Sequence, residues 1–253
     1  MTRCPALHVA SLAALALAVT PGSLAAQGSG ASVDTTATAS RLATALAPSM
    51  VSHRATRMLV ARSEKLNKMG WLEVETTFRP ESGFTYSVLR EGGDAGIRRR
   101  VLYKVLDKEA ELSVPAQARL AALSDANYQL TPGATRQTVR LVPRRRDTAL
   151  IDGTAVIDTR GALSRIEGRL AKSPSFWVRS VTIQRKYQSI AGHALPVLVE
   201  STAEVKLAGT CDFAMRIEYS DVDGQRVAPA DRRVQQSNVT AAPLLVALQQ
   251  QLR

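Results

Sequence analysis

From Thr135 to Gly224 the chain is a succession of short runs in which apolar and polar residues alternate, each closed by turn-forming residues. The runs are Gln137 to Val142, Thr148 to Ile151, Thr154 to Ile157, Leu163 to Arg169, Trp177 to Tyr187, Val197 to Leu207 and Phe213 to Tyr219. Asp152-Gly153, Arg160-Gly161, Ala191-Gly192-His193, Ala208-Gly209 and Asp223-Gly224 read as the turns. A period of two puts one half of each run on a buried face and the other in water. Strands joined by tight turns are antiparallel neighbours, so the pattern predicts a meander.

The same alternation begins upstream. In Trp71 to Phe78, Leu72, Val74, Thr76 and Phe78 share a face, with Glu73 and Glu75 on the other; Arg79 to Gly83 turns the chain, and Phe84, Tyr86 and Val88 complete a hairpin. Asp94 can cap a helix whose apolar residues Ile97, Val101, Leu102, Val105 and Leu106 recur at spacings of three to four. Pro115 starts a second helix through Leu123, and Asn127-Tyr128 leads back toward sheet. Pro48 to Met69, with Met50, Met58, Leu59 and Leu66 as its apolar side and Gly70 as its stop, reads as another helix.

About nine strands and two or three helices follow. A sheet of this length must close on itself or curl under a cover, and helices with dry faces supply the cover. The expected architecture is mainly β within an α+β chain: a curved antiparallel sheet, an unclosed half-barrel, with helices as a lid. Its inward residues are expected to include Leu72, Val74, Phe78, Phe84, Val197, Val199, Val205, Phe213, Met215 and Ile217 beneath lid residues Ile97, Val101, Leu102 and Val105. Phe176 and Trp177 are adjacent in an expected strand, so one ring should point inward, and Trp177 joins the candidate lining.

The N-terminus sets the expected compartment. Arg3, an Ala/Leu-rich run over Ser11 to Val19, the Pro21-Gly22 break and small residues Ser23 to Ala26 have the order of an export signal over residues 1–26. The apolar run is too short to span a hydrocarbon core, and Cys4 precedes it, which argues against an anchor and against lipidation. Residues 27–47 read as a flexible lead, 48–225 as the domain and 226–253 as a tail with a short helix. Periplasm or cell envelope is the expected location, with a soluble product.

Of the two cysteines, Cys4 leaves with the signal, so Cys211 has no intramolecular partner and stability must come from a core. The 33 Lys and Arg against 22 Asp and Glu give a net charge of +11, with runs at Arg98-Arg99-Arg100 and Arg144-Arg145-Arg146. Export argues against nucleic acid, leaving a solvated face, an anionic membrane surface or an acidic partner. No enzyme signature follows. His53 and His193 lack ligand spacing for a metal, no G-x-S-x-G elbow or phosphate loop occurs, and Asp221-Val-Asp223-Gly224 lacks the acids a calcium loop needs. The expectation is a non-enzymatic chain with no cofactor and no metal.

Tyr128-Gln-Leu, Leu141-Val-Pro-Arg-Arg-Arg-Asp147, Ile151-Asp-Gly, Asp158, Arg165-Ile-Glu-Gly-Arg-Leu170 and Pro174-Ser-Phe-Trp177 together resemble the outer-membrane lipoprotein-sorting (LolA/LolB-like) proteins, exported and mostly uncharacterised. A Tyr187 strand, the turn before Leu195-Pro196 and a Gly209 strand ending Glu218-Tyr219 extend the likeness. Upstream, Glu91-Gly92-Gly93, Ile97-Arg98 and Val101-Leu102 carry it too, so that it covers about Met69 to Gly224. The resemblance implies an unclosed antiparallel barrel, a helical lid and an apolar cavity for acyl chains, with a lipid or an acylated protein as the partner. The rival reading is a protein-interaction or envelope-sensing module of the same fold with a filled core.

Overall fold

A computed structural model describes residues 51–228 and 242–251. The segments read above as an export signal and as a flexible lead, and most of the C-terminal tail, lie outside them. Eleven strands form one antiparallel sheet: β1 His53–Ser63, β2 Lys68–Arg79, β3 Gly83–Gly93, β4 Tyr128–Pro132, β5 Thr138–Pro143, β6 Ile151–Ile157, β7 Leu163–Leu170, β8 Val178–Ile190, β9 His193–Val205, β10 Gly209–Val222 and β11 Gln225–Arg226. The strand order is β3-β2-β1-β10-β9-β8-β7-β6-β5-β4, with β11 paired only to β10. The sheet is not closed, since β3 and β4 are its two edges.

The chain crosses from one edge to the other through helices. Asp94 caps α1 (Ala95–Ile97) by accepting the Ile97 N–H at 2.9 Å. A π-helical turn, Arg98–Leu102, runs on into α2 (Tyr103–Leu112), and α3 is Pro115–Ala121. Leu102, Val105, Leu106 and Leu112 are buried while Lys104 and Lys108 pair with Asp107 and Glu111 on the outer side, so the amphipathic reading of this stretch holds. The first core joins this lid to β1, β2, β3, the end of β8, β9 and β10; the second lies among β4 to β9.

A third cluster forms on the opposite face of the sheet. There α4 (Pro243–Gln251) lays Leu245 and Leu248 against Val60, Leu198 and Ala214. Among the described residues no helix is long and apolar enough to cross a membrane.

Several expectations need correction. The described part of Pro48 to Met69 is strand β1 and its turn into β2, not a helix. Its inward set His53, Ala55, Arg57, Leu59, Ala61 and Ser63 is half polar, and Met58 and Val60 on the other face belong to the cluster under α4. Apolar residues on both faces hid the period of two.

Asp152-Gly153 is no turn, because Thr148 to Ile151 and Thr154 to Ile157 lead into a single β6 in which Gly153 stands opposite Gly168. A Cβ on Gly153 would lie 2.0 Å from the Glu167 carbonyl oxygen, so this glycine serves close strand approach. Trp177 precedes β8 in a turn and is half-buried, and its neighbour Phe176 is 77% exposed. Val88 keeps its register opposite Val74 but lies on the edge strand β3 and is exposed; the bulge falls after it, at Leu89.

Candidate functional site

The concave face of the sheet under the lid is where the candidate lining residues gather. Leu72, Val74, Phe78, Phe84, Val197, Val199, Phe213, Met215 and Ile217 are buried in one cluster with lid residues Leu102 and Val105, and Ile97 and Val101 pack at its margin. Val205 lies in the second cluster instead. Trp177 stands apart from both, stacked edge-on to Phe176, whose ring also carries the Lys206 ammonium at 3.3 Å. Lid and sheet touch directly along this face.

Sequence reading missed the polar groups inside this apolar shell. Arg57, 1% exposed, projects from β1 and donates to Glu109 of α2 at 2.6 Å and to Thr76 of β2 at 3.1 Å. Its guanidinium also lies 4.9 Å from the Phe84 ring centroid and 3.9 Å from the Met215 sulfur. Thr76 passes its own proton to the Ala55 carbonyl at 3.1 Å. The lid is thereby fastened to the sheet by a charge pair with its hydrogen bonds in order.

Two aromatic neighbours extend this centre. Tyr219 donates to the Pro196 carbonyl at 3.0 Å, and complete burial raises its pKa. His53 stacks on Phe78 and meets Tyr219 edge-on, with Nδ1 3.1 Å from the Val51 carbonyl and Nε2 buried without a partner. Burial and then the Arg57 charge hold its pKa down to about 4, so the imidazole is neutral at ordinary pH and its Nδ1–H donates to Val51.

A second arginine enters the same interior from β8. Arg185 is 6% exposed and follows Val181 and Ile183 on the inward positions of that strand. Near it Tyr128 accepts the Ile151 N–H at 2.9 Å, and burial drives its pKa up to about 12 against the pull of that N–H and of the Arg185 charge. The alternation that runs through β8 places Arg185 inward, and this signal was open to sequence reading. Arg57 was not, since its strand read as a helix.

The remaining candidates resolve as structure. Arg144 and Arg145 donate to backbone carbonyls at 120, 125 and 128 and to the Asn127 side chain, pinning the connection after α3; Arg99, Arg100 and Arg146 face solvent. Glu73 and Glu75 pair with Arg90 and Arg54 on the surface. Cys211 is a free, part-buried thiol against the second core, and burial raises its pKa, which keeps it protonated and unreactive.

A cleft of about 370 Å³ opens between α4 and the outer face of β9 and β10, lined by Arg62, Glu64, Glu200, Thr202, Asp212 and Leu244 among others. Burial raises the pKa of Glu200 there. No protein-family model matches this chain, and no curated protein matches it.

Proposed function

We propose that this chain is an exported cell-envelope binding protein that holds a lipid, or the acyl group of a lipoprotein, between the lid and the concave face of its sheet. The observation that carries this reading is the lid. An amphipathic helical stretch crosses an unclosed sheet from edge to edge over an apolar surface built from six strands. Among the described residues its deeply buried polar fastenings are the Arg57–Glu109 pair and the Phe84 N–H that donates to Ser113 Oγ at the end of α2. A buried ion pair roughly breaks even against the hydration of its two charges, so opening the lid costs little through this contact as long as both partners return to water. Swinging the lid away would expose that apolar surface to an acyl chain, whose burial gains roughly 0.8 kcal/mol per methylene.

Saturable binding that tightens with chain length from octanoate to hexadecanoate, and lipid retained in native mass spectrometry of protein taken from its own envelope, are the expected results. The exposed Arg99, Arg100 and Arg146 would then face an anionic membrane during delivery. A second reading is favoured by the tight packing of the same residues: a protein-interaction module with a filled core. It predicts no saturable acyl binding and no retained lipid, and that outcome would replace the first reading.

A further inference from the structure

Arg185 is a buried cation without a counter-charge. It stands inward on β8, opposite Val199 of β9 and Ile166 of β7, and it is 6% exposed. Both Nε and Nη2 are buried with no hydrogen-bond partner, and among the described residues no carboxylate pairs with it. A buried lysine could relieve such a position by losing its proton. An arginine cannot, because its guanidinium stays charged at every accessible pH, so the compensating charge has to come from outside the described residues.

The unmet atoms have a shape. Nε–H and one Nη2–H lie side by side along one edge of the guanidinium, the fork that fits two oxygens of a carboxylate or phosphate. Tyr128 adds a third donor, because its oxygen already accepts from Ile151 and its own proton has no acceptor among the described residues.

We propose that Arg185, in the same interior as the Tyr128 hydroxyl, receives the anionic head group, carboxylate or phosphate, of the amphiphile that the interior binds. The proposal rests on the acyl-binding reading for the apolar chain that follows the head group. It adds that the ligand is an anion, and it fixes which end of the ligand sits near β8.

The test uses the full chain, its Arg185→Met and Arg185→Lys variants, and four probes: dodecanoate, dodecyl phosphate, dodecanol and inorganic phosphate. Calorimetric titration of the wild type should give at least tenfold tighter binding of the two dodecyl anions than of the alcohol. Arg185→Met, which keeps the volume and should melt no lower than the wild type, should reduce the anions to the level of dodecanol. Arg185→Lys should retain part of the preference.

Equal binding of anions and alcohol by the wild type, or a preference that survives Arg185→Met, overturns the head-group site and leaves acyl binding standing. If no dodecyl compound binds, the acyl reading fails on its own. In that case a rise in melting temperature with inorganic phosphate, present in the wild type and lost in Arg185→Met, upholds Arg185 as a site for a free anion. No such rise removes the site too.

Discussion

Two buried arginines share the concave face of this sheet, and the chain treats them differently. Arg57, under the lid, has a carboxylate at 2.6 Å, a hydroxyl at 3.1 Å and an aromatic face at 4.9 Å. Arg185, from β8, has two nitrogens with no partner. In the first region the arginine is answered within the chain, so it acts in holding the lid to the sheet. The second is complete only with something added. Burial of a charge alone therefore says little about function, and what separates a fastening from a receptor is whether the surrounding chain answers the charge.

The largest effect should come from breaking the completed pair. Glu109→Ala strands the Arg57 guanidinium in an apolar site and should cost about 3–5 kcal/mol, read as a lower urea midpoint. The double variant Arg57→Met with Glu109→Leu should recover most of that loss. If it does not, the pair does more than fasten.

Acid should attack the same region next. His53 is held near 4, below its ordinary 6.5, so the folded chain keeps it neutral where the unfolded chain takes up a proton. Its contribution is therefore fully present above pH 6.5 and lost as pH falls toward 4, a change of about 3 kcal/mol. Urea midpoints measured from pH 7.5 to 4 should show this slope, and His53→Leu should flatten it.

The second region should respond with the opposite sign. Arg185→Met removes a charge that no described residue pairs, and it should leave stability unchanged or raise it by roughly 1–4 kcal/mol. A loss as large as that of Glu109→Ala would mean that Arg185 has an internal partner, and the comparison would collapse. The smallest effect is a control on an exposed cation: Lys206→Ala, which removes the ammonium from the Phe176 ring, should cost about 0.5 kcal/mol.

Much of the sheet was legible because its strands obey a period of two with one dry face. β2, β5, β7, β9 and β10 lie close to where alternation puts them, and Asp94 caps the lid as its position suggests. Legibility failed where a second physical demand overwrote the period. β1 carries apolar residues on both faces, because α4 covers the outside of Val60, and polar residues within, because Arg57 and His53 belong to the buried network. Gly153 looked like a turn residue because a glycine has two uses, positive φ and close approach, and only the facing Gly168 decides between them.

The candidate site divides along the same line. Nine of its eleven proposed lining residues meet in one cluster, since apolar alternation reports burial. Val205 packs elsewhere and Trp177 sits in a turn, because alternation does not report which half of a long sheet a strand faces. Arg57 went unread because its strand read as a helix, whereas the alternation of β8 already placed Arg185 inward.

The pairing of β1 with β10, running from His53 opposite Val222 to Ser63 opposite Cys211, joins nearly the first described strand residues to nearly the last. Every other adjacent pair in the sheet except β10 with β1 is also adjacent in sequence, so the hairpins can zip locally while this one seam waits on closure of a loop that contains almost the entire domain. Until the seam forms, β1 and β10 each offer an unpaired edge, and the first core, which draws on both, cannot assemble. The folding rate of the molecule is thus set by its last strand to arrive, and a chain truncated before Gly209 would retain its hairpins and lose the half of the interior that holds the lid.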